Sequence, residues 1–541
     1  MNARVLCTAA CLLLAGMGCT DIQNQAAVDN RPNILLIVAD DLGYADLGIY
    51  GGDIDTPNID ALARSGMLFT QFHTAPLCAP TRAMLLSGNN NHVAGMASQG
   101  RSSLGGQPMR GYENHLSDRI VPFPKLLRDT GYRTMIVGKW HLGLAPENSP
   151  VNAGFEFAYN LLDGGGNHFN SKGFRERGTY YQEGTERIEY PDGRYSTDLY
   201  TEKLIGFIDG TKNDDRPFFA FAAYTSPHWP LQVPDEYLDL YSGRYADGYD
   251  VLREERFASL KEAGIIPIDS ELPPRNDAVT PWDDLSADDQ KRESRKMELY
   301  AAMVDNLDDH VGRLLDHLKA NEEFENTIVI FMSDNGAAGE DFYQNGPFVD
   351  YIQREYDNSY DKMGTAESFV CYGLPWAEAG SAPFHLFKGY TREGGITAPM
   401  IIAGAGVSAS DSINTAYATV MDLAPTFLEL AGATYPDDGS VEPILGESMV
   451  SFLSGESEEV HDDQYVTTLF HENVAFLRQG DWKLSTLDGI FEESKFELFD
   501  LSVDPGETTN LATDEPEKYA ELIALWRAER KRLGIIVPMD L

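Results

Sequence analysis

The sequence predicts an α/β protein: a large, mostly parallel sheet flanked by helices on both faces, followed by a smaller C-terminal unit. Three observations lead there. Four short, mostly apolar runs, at 33–39, 133–137, 218–223 and 327–332, have the length and character of strands covered on both faces. Helical patterns lie between them, the alternation that a parallel sheet requires. Near residues 434–439 the composition turns to loop residues, and strand-like and helical segments resume beyond.

Residues 33–39 are mostly apolar, and Asp40 and Asp41 follow at once. A helical pattern opens near 56–60, with Pro57 at its start and Ile59, Leu62, Ala63 and Met67 along one side. A second, at 123–130, precedes the run at 133–137, which leads into Gly138-Lys139-Trp140-His141-Leu142-Gly143. The run at 218–223 leads into Tyr224-Thr225-Ser226-Pro227-His228-Trp229-Pro230. A helical pattern at 297–319 precedes the run at 327–332, which leads into Ser333-Asp334-Asn335-Gly336. Each run therefore ends in polar residues capable of chemistry, and ligands of open parallel sheets bind beyond the carboxyl ends of the strands. Residues 230–297 and 340–384 lack strong periodicity and read as long insertions over that site. Further on, 474–483 and 495–501 read as strands and 516–533 as an amphipathic terminal helix. The expected division is a catalytic unit at 32–435 and a C-terminal subdomain at 436–541.

With 541 residues, 43% of them hydrophobic, the chain has material for one large core and a smaller one. Its 42 basic and 85 acidic residues give a formal net charge of −43, and no basic run offsets it, which excludes nucleic acid as a partner. We read the acidity as surface solvation. Residues 1–19 show one arginine, an apolar run and then small residues, the pattern of a secretory leader. The expected location is periplasmic or secreted. Cys19 ends the leader in a lipoprotein-like context, although Gly16 stands where such sites usually carry Leu. A lipid tether to the membrane at Cys19 and its absence both stay open. No later run reaches the roughly 18 apolar residues of a spanning helix. Of the five cysteines, Cys7, Cys11 and Cys19 lie in the leader, leaving Cys78 and Cys371, so no disulfide framework is expected.

The strand ends carry the chemistry. Asp40, Asp41, Asp334 and Asn335 offer oxygen ligands only. Two like charges about 4 Å apart cost roughly 4 kcal/mol at an effective dielectric near 20, so three converging carboxylates need a cation or a proton. Oxygen donors without Cys or His favour Ca²⁺ or Mg²⁺ over zinc. Arg82, Lys139, His141, His228 and Lys388 are the candidate partners of an anionic substrate. Any one of them alone is more often an ordinary surface or capped residue.

The stretch Leu77-Cys78-Ala79-Pro80-Thr81-Arg82-Ala83-Met84-Leu85-Leu86-Ser87-Gly88 resembles the sulfatase signature, Cys-x-Pro-[Ser/Thr]-Arg followed by Leu-Leu-[Thr/Ser]-Gly. The turn at 138–143 is similar to the family's second signature, and residues 388–396 resemble its Lys-x4-Glu-Gly-Gly-Ile element, with Thr397 where many relatives have Arg. Residues 87–95 and 111–113 place the resemblance closest to bacterial arylsulfatases. Residues 497–507 with Asn510, Leu511 and Ala512 resemble the family's C-terminal subdomain, which implies a small antiparallel sheet with a helix.

The resemblance implies a sulfuric ester hydrolase. Cys78 would be oxidised by a maturation enzyme to formylglycine, whose hydrated aldehyde is the nucleophile. Asp40, Asp41, residue 78, Asp334 and Asn335 would hold Ca²⁺, with Mg²⁺ as the alternative. One hydroxyl of residue 78, polarised by the cation and Arg82, would attack sulfur, with Asp334 as an acceptor of its proton. His228 and Lys388 would serve the departing alcohol, Lys139 would add positive charge, and His141 would take the proton whose loss releases sulfate. Two alternatives stand beside this reading. One is a phosphonate monoester or phosphodiester hydrolase of the same superfamily. The other is a non-catalytic protein that binds sulfated polymers, which the full set of site residues disfavours.

Overall fold

A computed structural model describes residues 29–99, 103–104, 107–211, 214, 216–487 and 489–537. The stretch read as a leader at 1–19, with Cys19, lies outside them. Ten strands form one sheet in the spatial order Ser412–Asn414, Gly66–Phe69, Met400–Gly404, Thr327–Ser333, Asn33–Ala39, Phe218–Ala223, Arg133–Lys139, Phe157–Leu161, Tyr181–Glu183, Glu186–Ile188. The four apolar runs are neighbours at its centre, and with Phe157–Leu161 they make a parallel block. Antiparallel pairs sit on either side of that block, so the sheet is mixed, parallel where the site lies.

The period-2 geometry of a strand explains why these runs are apolar throughout. Leu36 lies beside Phe221 and Ile330 in register. With Ile34 and Val38 it faces a core that includes residues of the helices Cys78–Ser87, Phe123–Asp129 and Leu423–Leu430. Leu35 and Ile37 point the other way, into a core shared with Ser196–Asp209 and Ala287–Ala320. A strand buried on both faces has few positions for a polar residue before it ends, and Thr134 takes one by donating to the Gly154 carbonyl, so most polar residues collect at the ends.

The helix Ala287–Ala320 starts well before the apolar stripe that marked it in the sequence. Its opening residues, ADDQKRESRK, are too polar to show a face. Ser286 nevertheless caps it, accepting the Asp289 N–H at 3.1 Å. The stretch read as an aperiodic insertion at 230–297 also contains the helix Gly248–Glu262. Its inward residues are Tyr249, Leu252, Arg253, Arg256 and Leu260, and the two arginines hide the periodicity. Arg256 is buried against Asp46 at 2.5 Å and Asp53 at 2.7 Å.

The strands Val466–His471, Val474–Gln479, Trp482–Ser485 and Glu497–Asp500 form an antiparallel sheet. Helix Pro516–Leu533 packs on it through Leu522, Ile523 and Trp526. The run read as one strand at 474–483 is a hairpin that turns at Gly480, whose φ of 56° suits glycine. Val466–His471 was not anticipated. Among the described residues, Cys78 and Cys371 are both buried and free, and no helix is long and apolar enough to cross a membrane.

Candidate active site

Beyond the carboxyl ends of the four central strands the anticipated residues meet. Asp40 and Asp41 follow Asn33–Ala39, Lys139 closes Arg133–Lys139 with His141 two residues on, His228 follows Phe218–Ala223, and Asp334 and Asn335 follow Thr327–Ser333. Cys78 is the first residue of its helix, where unpaired backbone N–H groups favour negative charge. Lys388 arrives on a loop whose Gly389 N–H donates to the Pro76 carbonyl at 2.8 Å, two residues before Cys78.

The group has an outer and an inner layer. Cys78, His141, His228 and Lys388 line a cavity of about 640 Å³. Asp40, Asp41, Asp334, Asn335, Arg82 and Lys139 are buried behind them. Lys139 Nζ donates to both oxygens of Asp40 at 2.8 and 2.6 Å. Lys388 Nζ donates to Asp41 Oδ2 at 2.8 Å. Arg82 directs Nε and Nη2 to Asp334 Oδ2 at 3.1 and 2.7 Å, and Nη1 to the Lys139 carbonyl at 3.0 Å. Arg82 does not line the cavity; its donors hold Asp334 and the turn before His141. Asp334 Oδ1 accepts the Asp41 N–H at 3.3 Å, so both Asp334 oxygens are already engaged.

Three carboxylates thus meet three basic side chains, and charge balance alone does not demand an ion. The donor set does fit one. Ligand atoms of Asp40, Asp41, Cys78 and His228 lie within 4.8 Å of one another. Asn335 donates Nδ2 to Asp41 Oδ1 at 2.8 Å, while its buried Oδ1 has no partner among the described residues. An orphaned buried acceptor beside carboxylates is what a hard cation uses. Burial, then the Asp334 charge, raises the Asp40 pKa to about 7 against the pull of Lys139.

Backbone strain accompanies the side chains. Asp41 (φ 67°), His141 (φ 57°) and Leu386 (φ 62°), two residues before Lys388, occupy the left-handed region. Such residues cost on the order of 1–3 kcal/mol each and tend to mark functional sites. His228 Nδ1 donates to the Trp229 carbonyl at 2.7 Å, which leaves Nε2 as the working nitrogen, 3.5 Å from Asp41 Oδ2. Burial, then Lys139, pushes the pKa of both His141 and His228 well below the ordinary value, so both rings are neutral. Burial raises the Cys78 thiol well above its ordinary pKa, with Lys139 and Lys388 opposing; an unmodified thiol here is a poor nucleophile.

Several residues at the site were not singled out from the sequence. A Cβ on Gly164 would lie 2.4 Å from His141 Nε2, and one on Gly165 would lie 2.8 Å from His228 Cε1. Both histidines lean on bare backbone, and the triple glycine at 164–166 was the available signal. Glu340 stands 3.7 Å from Lys388, and Phe342 and Phe348 line the cavity. The stretch at 340–384 therefore does reach the site. No residue of 231–297 lines the cavity; its helix Gly248–Glu262 packs instead on Leu374–Gly380. Thr397, the departure from the family pattern, donates to Glu393 Oε2 at 2.7 Å.

The family model described as Sulfatase matches residues 32–433, and that described as N-sulphoglucosamine sulphohydrolase, C-terminal, matches 385–533. An uncharacterized sulfatase of Schizosaccharomyces pombe is 39% identical, with 96% of each chain covered. An arylsulfatase of Klebsiella aerogenes is 37% identical over 82% of this chain and 95% of its own. Among solved structures, Ps i-CgsB in complex with k-i-k-neocarrahexaose superposes with a TM-score of 0.66 at 25% identity, covering 93% of both chains. A phosphonate monoester hydrolase of Agrobacterium radiobacter shares the fold, with a TM-score of 0.56 at 20% identity over 92% of this chain and 96% of its own.

Proposed function

The chain belongs to the sulfatase family and is a sulfatase; from that premise we propose that it hydrolyses sulfate esters of aryl or saccharide alcohols in the cavity above residue 78. One observation carries the reading: two strand ends, one helix start and a loop deliver His141, His228, Cys78 and Lys388 to one cavity, over a buried shell of carboxylates from the other two strand ends.

Two groups complete the chemistry. Conversion of Cys78 to formylglycine by a maturation enzyme supplies the nucleophilic oxygen. A divalent cation, Ca²⁺ first and Mg²⁺ second, held by Asp40, Asp41, Asp334, Asn335 and residue 78, supplies Lewis-acid polarisation of the sulfate.

The chain's own residues do the rest. Lys388, whose pKa burial alone would lower but Asp41, Cys78, Glu340 and Asp40 together hold well above the ordinary value, presents a fixed positive charge to the sulfate and the leaving oxygen. Lys139 and Arg82 hold Asp40 and Asp334 in place. His141, neutral and with no partner for Nδ1 among the described residues, is a base ready to take a proton from residue 78. His228 offers Nε2 towards the leaving alcohol. Substrate charge favours protonation of that nitrogen, which Lys139 and Lys388 otherwise oppose.

The leader supports export to the periplasm or beyond, with lipid attachment at Cys19 as the alternative to release. Residues 32–435 form the catalytic unit and 436–541 the C-terminal one. Steady-state rates of the matured enzyme on nitrophenyl sulfate and on nitrophenyl phosphodiesters test the reading. A kcat/KM for the sulfate at least ~10² above that for the diesters is expected, about 2.7 kcal/mol of preference. A preference for the diesters overturns it.

A further inference from the structure

We propose that Arg175 and the aromatic wall holding it form a subsite for a second anionic group. The preferred substrate is then a ring that carries its sulfate ester together with a further carboxylate or sulfate. The proposal rests on the sulfatase reading above and specifies its substrate class.

One wall of the cavity consists of Phe174, Trp229, Phe342, Phe348 and Arg175. Phe174 packs on Trp229 at 5.6 Å and on Phe348 at 4.8 Å between ring centres, and Phe342 packs on Trp229 at 4.8 Å. These rings offer an apolar face to a flat substrate ring. Trp229 is buried, and its Nε1–H has no acceptor among the described residues. Trp229 adjoins His228, so the wall begins where the leaving alcohol must sit.

The Arg175 guanidinium lies 5.1 Å from the centre of Phe174 and 4.9 Å from that of Phe348. Stacking of this kind orients the fork without using its donors. The other charged residues of the lining have opposite charges beside them. Arg177 pairs with Asp163, Lys388 with Asp41 and Glu340, and Glu113 with Arg119. Arg175 makes no side-chain hydrogen bond or ion pair among the described residues. In a chain of net charge −43, an exposed guanidinium stacked at the cavity wall with no carboxylate partner among the described residues leaves its donors for a ligand. Carboxylate and sulfate oxygens match that fork.

The test uses matured enzyme and two substrate pairs: nitrophenyl sulfate with its ring-carboxylated analogue, and a monosulfated with a disulfated monosaccharide. Wild type should favour the dianionic member of at least one pair, and the pair that responds identifies the source of the second charge. Arg175→Gln should lower the dianionic-to-monoanionic ratio of kcat/KM by about tenfold, the size of a solvent-accessible charged hydrogen bond. Arg175→Lys should retain part of the ratio, and Arg175→Glu should invert it. Binding of the same ligands to unmatured enzyme, followed by tryptophan fluorescence, should show the same order. A ratio unchanged in Arg175→Gln and Arg175→Glu, while nitrophenyl sulfate is still turned over, overturns the subsite alone. Absence of turnover on every sulfate ester by enzyme shown to be matured overturns the sulfatase reading and the subsite with it.

Discussion

Glu393 and Lys483 form a buried ion pair, 2.5 Å between Oε1 and Nζ, that joins the loop carrying Lys388 to the C-terminal sheet. His73 Nε2 lies 2.6 Å from the other Glu393 oxygen, and Glu507 stands 2.9 Å from Lys483. Thr391, three residues from Lys388, donates to the Ala475 carbonyl of the same sheet at 3.1 Å. The C-terminal sheet is therefore fastened to the loop carrying Lys388 by buried polar contacts.

Breaking this pair from one side should be costly. Removing one partner of a buried pair typically costs about 3–5 kcal/mol, because the other charge is left uncompensated. Lys483→Met should lower unfolding free energy by that order and lower kcat on every substrate. Glu393→Gln/Lys483→Met together should recover much of the stability. Chemical denaturation of the single and double variants checks this, and additive losses would contradict the coupling.

Gly164→Ala should impair the reaction with little effect on folding. A methyl group there meets the His141 ring at 2.4 Å, so the ring must move. A displacement near 1 Å can cost about 10²-fold in rate. Steady-state kinetics together with a melting curve separate the two effects. An active Gly164→Ala enzyme would show that His141 does not need its present position.

The two histidines should fail differently. A general acid or base contributes about 10²–10⁴-fold. His228→Ala should hurt substrates with poor leaving groups most, since good ones need little protonation. His141→Ala should give a burst of alcohol and leave sulfate on the protein whichever alcohol has departed. Equal losses across a leaving-group series, with no burst in either variant, would contradict this division.

Removal of divalent metal should abolish activity, and Ca²⁺ should restore it more fully than Mg²⁺. Asp41→Ala should lose metal and rate together. Elemental analysis of active enzyme decides the identity: stoichiometric zinc, or no metal, would contradict the hard-cation assignment.

The centre of the fold was legible because strands buried on both faces are mostly apolar, and their polar ends stand out. The polar residues at 40–41, 139–141, 228 and 334–335 that meet beyond those ends stood out for the same reason. Where packing uses charge, the signal failed. Arg256 turns inward to Asp46 and Asp53, so its helix shows no apolar stripe. The inner role of Arg82 was also hidden, because sequence spacing does not show that Asp334 and the Lys139 carbonyl take its donors. Gly164 and Gly165 act by lacking a side chain, and only the folded positions of His141 and His228 show why.

The central claim is that residue 78, matured from Cys78, carries the chemistry. Peptide mass spectrometry of enzyme with measured turnover, produced with and without a maturation enzyme, tests it most directly. The account predicts an aldehyde at residue 78 in proportion to activity, and a folded, inactive Cys78→Ala variant. Full activity in a preparation carrying only unmodified Cys78 would contradict it.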